Sequence, residues 1–91
     1  MKPKRTILCV DDNEQSLSYR KIMLQTRGYR VASFTRGEEA LQRFKEGGID
    51  LVVTDMAMPG MDGPQLIAEI AVRAYFPDAR KRHGLLLFCS S

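Results

Sequence analysis

The sequence predicts an α/β domain built on a parallel β-sheet. Four short apolar runs alternate along the chain with segments of helical periodicity, which is the pattern of βαβ units. The first run, Thr6–Val10, is continuously apolar, as expected for a strand that is covered on both faces. A chain of 91 residues has room for one small domain, so we expect a single domain over residues 1–91.

The segment after the first strand predicts a helix. Asn13 is a favourable N-cap, and the helix is expected to run to about Arg27 and to stop at Gly28. Its predicted buried stripe has four members with helical spacing: Tyr19, Ile22, Met23 and Thr26. Leu17 and Leu24 fall on a second stripe, so two inward faces are possible for this helix.

The middle of the chain predicts two further strands, Arg30–Phe34 and Ile49–Thr54, with a helix between them. Thr35 and Glu38 have the spacing of a capping box and are expected to open this helix. Its predicted buried face is formed by Ala40, Leu41 and Phe44.

The last third of the chain begins with a loop, Asp55–Gly63, that is rich in Met and Gly. Pro64 suits the first turn of a third helix, and Pro77 is expected to end it. The residues of this helix that are predicted to pack inward are Leu66, Ile67 and Ile70. A polar connector, Asp78–Gly84, then precedes a fourth predicted strand, Leu85–Cys89.

Composition argues against several functional classes. The net charge of +3 is small, and no aromatic residues alternate with the basic ones, so we expect no direct nucleic-acid binding. The two cysteines show no metal-ligand or redox spacing, which is typical of buried thiols in a reduced compartment. No apolar run has the length of a secretory signal or a membrane span, so we expect a cytoplasmic protein with no membrane partner.

Three acidic residues follow two of the predicted strands. Asp11 and Asp12 come after the first strand, and Asp55 comes after the third. Ligand sites of parallel α/β sheets lie beyond the carboxyl ends of the strands, so these side chains are expected to meet. Clustered carboxylates repel one another unless a cation joins them, and Mg²⁺ prefers such oxygen ligands. The sequence therefore predicts a magnesium site beside a reactive aspartate.

Two motifs carry a resemblance to a known family. Val10-Asp11-Asp12-Asn13, together with the segment from Asp55 to Gly63 (DMAMPGMDG), resembles the receiver domain of two-component response regulators over residues 6 to about 74. The resemblance implies a flavodoxin-like (CheY-like), doubly wound parallel sheet of about four strands in the order 2-1-3-4, with three helices. It also implies a phosphorelay module that needs Mg²⁺ and receives a phosphoryl group from a histidine kinase or phosphotransfer protein.

The resemblance also implies roles for five residues. Asp55 corresponds to the phospho-acceptor and is also one of the metal ligands, while Asp12 corresponds to a direct Mg²⁺ ligand and Asp11 to a ligand through water. The backbone carbonyl of Ala57 corresponds to a further ligand, and Ser90 corresponds to the residue that contacts the phosphoryl group. Such a module is not an enzyme in the usual sense, because it phosphorylates and dephosphorylates only itself.

The sequence departs from the family pattern after the fourth predicted strand. No residue matches the lysine at the end of a fifth strand, and we expect the domain to lack that strand and the last helix. We therefore expect weakened phosphorylation, and homodimers that form through an exposed or exchanged fourth strand. Two alternatives stay open: a pseudo-receiver used for dimerisation or docking, and a Mg²⁺-dependent phosphohydrolase. Ala57 weakens the second, because hydrolases of that class carry an acidic residue at this position.

Other polar residues have simpler interpretations. Asp62 is expected to shape a turn or cap the third helix rather than bind metal. Met56, Met58 and Met61 are expected to pack onto the sheet rather than to form a soft-metal site. His83 lies in the basic connector and is expected to be solvated.

Overall fold

The structure, a computed structural model, describes residues 4–75 and the strand at residues 86–90. Its four strands are β1 (Thr6–Val10), β2 (Arg30–Phe34), β3 (Leu51–Asp55) and β4 (Leu86–Ser90). All of them pair in parallel, in the spatial order β2-β1-β3-β4. The predicted parallel sheet and its strand order are therefore confirmed, with β3 and β4 shifted along the chain by one or two residues.

Three helices connect the strands: α1 (Glu14–Thr26), α2 (Gly37–Lys45) and α3 (Gly63–Tyr75). The predicted cap of α1 is confirmed, because the Asn13 side chain accepts a hydrogen bond from the Ser16 amide at 3.0 Å. The capping box predicted for α2 is wrong. Arg36 occupies the N-cap and makes no side-chain cap bond, so Thr35 lies one residue too early to act as the cap.

The helices cover both faces of the sheet, which makes the fold doubly wound. α2 and α3 pack on one face, where the predicted inward residues Ala40, Leu41, Phe44, Leu66 and Ile70 are buried with Leu8, Val10 and Val52. α1 packs on the opposite face, where Leu17 joins Ile7 and Cys9, with Leu24, Val31, Leu51 and Val53 packed around them.

The inward stripe predicted for α1 is wrong. Tyr19 and Ile22 are 70% and 61% exposed, and Met23 and Thr26 are exposed as well. The second stripe faces the sheet instead, with Leu17 buried and Leu24 packed against the smaller core. The two leucines are seven residues apart, two helical turns, and this places them on one face of α1.

The parallel pairing brings the carboxyl ends of β1, β3 and β4 to one end of the sheet, where the predicted site residues lie.

None of the helices in the described part of the chain combines the length and apolarity that crossing a bilayer requires. The predictions for Pro77, the connector Asp78–Gly84 and His83 fall outside the described residues.

Candidate metal centre

The acidic site is assembled by the register of two neighbouring strands. Val10 at the end of β1 pairs with Thr54 in β3, so the residues that follow Val10 lie beside Asp55. One carboxylate oxygen from each of Asp11, Asp12 and Asp55 lies within 4.8 Å of the corresponding oxygens of the other two. The structure thus brings together three side chains that the sequence places on separate segments.

Backbone hydrogen bonds hold two of these carboxylates in place. Oδ1 of Asp11 accepts a hydrogen bond from the Asn13 amide at 2.9 Å, and Oδ1 of Asp55 accepts one from the Met56 amide at 2.9 Å. The Asp11 amide donates to the Phe34 carbonyl at 3.1 Å, which ties the segment after β1 to β2. Both carboxylates therefore have a fixed backbone anchor.

The three carboxylates differ in their access to solvent. Asp11 is buried, Asp55 is half-buried and Asp12 is exposed. The ion pairs found among the described residues, Arg5 with Asp50 at 3.9 Å and Arg73 with Glu69 at 2.9 Å, involve other acids. Within that part of the chain, no ion pair compensates the negative charge of the cluster.

The loop that follows Asp55 forms one wall of the site. The Gly63 amide donates to the Met56 carbonyl at 2.9 Å and closes this loop, while Gly60 adopts a left-handed conformation with φ of +76°. A shallow depression beside the carboxylates is lined by Asp12, Ala57, Met58, Pro59 and Asp62. Ala57 and Asp12 therefore line the same depression, which is required if both are to bind one metal ion.

Asp62 has the capping role that the sequence favoured. Its Oδ1 accepts a hydrogen bond from the Gln65 amide at 2.9 Å in the first turn of α3. Met58 is buried and Met61 packs against the same core, so the interpretation of these two methionines as packing residues is confirmed. Met56 is exposed.

The position of Ser90 relative to the acidic cluster follows from the backbone pairing of β4 with β3. β4 pairs with β3 so that the Cα atoms of Ser90 and Asp55 are partners across the sheet. Ser90 therefore lies at the same carboxyl edge as the acidic cluster, although it follows Asp55 by more than thirty residues. Gly37 also belongs to the surroundings of the site, and its contact with the loop at Met61 has no local signal in the sequence.

The donor set fits a magnesium ion. Mg²⁺ binds oxygen ligands at about 2.1 Å, so two ligands on opposite sides of the ion lie about 4.2 Å apart. Carboxylate oxygens within 4.8 Å of one another are compatible with direct binding by some of them and binding through water by another. Oxygen-only ligands also favour Mg²⁺ over softer metals.

Comparison with known proteins identifies similar domains. A family model described as the response regulator receiver domain matches residues 7–79. The sensor kinase CckA of Brucella abortus is 40% identical over 77 residues, covering 82% of this chain and 8% of the kinase. The response regulator GtcR of Aneurinibacillus migulanus is 33% identical over 66 residues, covering 72% of this chain and 27% of that protein. The chain thus spans less than a third of the length of these relatives.

Solved structures share the fold. The response regulator TrrA of Thermotoga maritima, in complex with Mg(2+)-BeF, superposes with a TM-score of 0.75 at 27% identity over 96% of this chain and 86% of that chain. A structure of the histidine kinase ThkA in complex with TrrA gives a TM-score of 0.74 at 28% identity with the same coverage. The chemotaxis protein CheY4 of Vibrio cholerae gives 0.80 at 23% identity over 94% of this chain and 68% of that chain, which shows the fold alone.

Proposed function

Because the chain belongs to the response regulator receiver domain family, we propose that it accepts a phosphoryl group on Asp55, with Mg²⁺ bound beside this residue. The observation that carries the proposal is the meeting of Asp11, Asp12 and Asp55 within 4.8 Å at the carboxyl edge of the sheet. The chain is a signalling module of two-component systems and not an enzyme of the usual kind.

The proposed reaction transfers a phosphoryl group from a phosphohistidine to Asp55. A carboxylate oxygen of Asp55 attacks phosphorus, the P–N bond to the histidine breaks, and the leaving imidazole nitrogen takes up a proton from solvent. Bound Mg²⁺ supplies positive charge that offsets the charge on the phosphoryl oxygens. Asp55 is suited to the attack because it is half-buried at the end of a strand and its Oδ1 is anchored by the Met56 amide.

The remaining ligands are proposed from their positions. Asp12 is exposed beside the depression and would bind the ion directly, whereas buried Asp11 would act through water. The Ala57 carbonyl would complete the protein ligands, because Ala57 lines the same depression. Ser90 would contact the phosphoryl group, which its pairing with Asp55 across the sheet supports.

The partner proposed for the transfer is a histidine kinase or phosphotransfer protein. The TrrA structure in complex with ThkA supports this proposal, because TrrA shares the fold over 96% of this chain. We further propose a cytoplasmic location, where such kinases carry their phosphohistidine. A homodimer that pairs through β4 is also proposed, since β4 is an outer strand of the sheet that the described residues form.

The central test is labelling with radioactive acetyl phosphate. We expect the wild-type chain to become labelled when Mg²⁺ is present, and we expect chelation of the metal or Asp55→Asn to reduce the label to background. Asp50→Asn is the matched control: its carboxylate accepts from the Thr6 amide at 2.9 Å at the amino end of the sheet, away from the site. That variant should be labelled like the wild type.

Each other outcome has a definite meaning. Label that persists in Asp55→Asn would show that another residue is the acceptor. Absence of both label and any Mg²⁺-dependent change in the wild type would favour a docking module without phosphorylation. Release of phosphate from added esters over many turnovers would favour a phosphohydrolase.

A further inference from the structure

The first residue of α2 is in close contact with the loop that follows Asp55. Gly37 is buried, and a Cβ atom added there would lie 2.8 Å from the Met61 carbonyl oxygen and 3.0 Å from Met61 Cβ. We propose that Gly37 is a positioning residue for the metal site: its lack of a side chain sets the position of the 55–63 loop and thereby of the Ala57 carbonyl. The inference rests on the function proposed above.

A second contact joins the same helical turn to the same loop. A Cβ atom added at Gly60 would lie 2.8 Å from Oε2 of Glu38, so the Glu38 carboxylate lies against the Gly60 backbone. Consecutive residues of α2, Gly37 and Glu38, therefore touch neighbouring residues of the loop, Met61 and Gly60. The loop is held against α2 at two adjacent points.

Other contacts hold both α2 and the loop in place. α2 is fixed by Ala40 and Phe44, which are buried in the larger core. The loop is fixed by buried Met58 and by the hydrogen bond from the Gly63 amide to the Met56 carbonyl. A methyl group at residue 37 must push against backbone at Met61, and the closed loop passes that displacement to the segment that contains Ala57.

Magnesium is sensitive to such a displacement. Its octahedral coordination requires ligand distances of 2.0–2.1 Å, and it tolerates distortion less than Ca²⁺ does. Residues that orient metal ligands without binding the metal typically change metal affinity by about 10-fold or more when they are mutated. A shift of the Ala57 carbonyl by a fraction of an ångström is therefore expected to weaken binding measurably.

The test is Gly37→Ala, with Gly28→Ala as the matched control. Both variants add one methyl group, but nothing lies within 4 Å of a Cβ at Gly28, which precedes β2 at the amino end of the sheet. Its φ of +93° makes the control strained, so it also reports the effect of a general loss of stability. Mg²⁺ affinity is measured by isothermal titration calorimetry on the full chain.

We expect Gly37→Ala to weaken Mg²⁺ binding on the order of 10-fold and Gly28→Ala to leave the affinity unchanged. A second measurement needs no metal: the amide NMR resonances of residues 56–63 should shift in Gly37→Ala and not in Gly28→Ala. If the wild type binds no Mg²⁺, the proposed function fails, while the NMR comparison still tests whether Gly37 positions the loop.

Three results would overturn the inference. The first is a folded Gly37→Ala variant with wild-type affinity, and the second is one with unshifted loop resonances. If the variant is unfolded in buffer, the measurements are made in trimethylamine N-oxide, which favours compact states. Failure to fold there is the third contrary result, because it would assign Gly37 to folding rather than to loop position.

Discussion

At the scale of single residues, the burial of the Cys9 thiol makes the stability of the fold depend on pH. Cys9 is fully buried in β1. Desolvation raises its pKa from the ordinary value of 9.0 to about 11, whereas the nearby Arg20 guanidinium opposes this shift by favouring the thiolate. In the unfolded chain the thiol ionises near its ordinary pKa. Between about pH 9 and pH 11 the folded state therefore binds more protons than the unfolded state, and stability falls as the pH rises.

Replacement of this thiol should remove that part of the alkaline instability. We expect the free energy of unfolding of the wild type to fall by on the order of 2 kcal/mol more than that of Cys9→Ala between pH 8 and pH 11, because each pKa unit corresponds to about 1.4 kcal/mol. The alanine variant should be less stable at pH 8, since it leaves a cavity in β1. Urea denaturation at several pH values measures both effects. Parallel pH profiles for the two proteins would contradict the raised pKa.

The acidic residues of the site could be predicted one by one, whereas Gly37 could not. Asp11 and Asp55 directly follow apolar runs, and the geometry of parallel sheets places such positions together. Gly37 is significant only because α2 packs its first turn against Met61, and no local pattern encodes a contact between these separate segments. The role proposed for Ser90 likewise depends on which strand lies beside β3.

At the scale of elements, the helices differ in how clearly the sequence encodes their buried faces. In α2 the apolar residues Ala40, Leu41 and Phe44 fall on one face, and all three are buried as predicted. In α1 apolar residues occur on two faces, and the helical spacing of Tyr19 and Ile22 predicts as buried a face that is exposed. Only the packing of α1 on β1 and β2 distinguishes the two faces.

A pair of truncations in α1 tests which face carries the stability. Leu17 is 7% exposed and lies in the smaller core, whereas Ile22 is 61% exposed. We expect Leu17→Ala to lower the free energy of unfolding by about 2–3 kcal/mol, because it removes buried methyl groups and leaves a cavity. Ile22→Ala should change it by less than about 0.5 kcal/mol. Chemical denaturation measures both values, and equal losses would contradict the orientation of α1.

At the scale of the whole molecule, the order of the strands both creates the site and leaves two outer strands without a neighbour on one side. β1 lies between β2 and β3, so the segments that follow β1 and β3 converge at the carboxyl end of the sheet. The sequence alone predicts parallel strands, but the order of the strands followed from the family resemblance. The order leaves β2 and β4 as the edges of the sheet formed by the described residues.

The proposed homodimer predicts different behaviour at these two edges. Edge strands expose backbone donors and acceptors to other chains, and exposed Arg30 at the start of β2 makes that edge less suited to pairing. We expect sedimentation velocity to show a dimer whose fraction rises with protein concentration in the micromolar range. Hydrogen exchange should slow in the amides of residues 86–90 as the dimer forms, while exchange in β2 stays constant. A monomer at every concentration, or slowing confined to β2, would contradict pairing through β4.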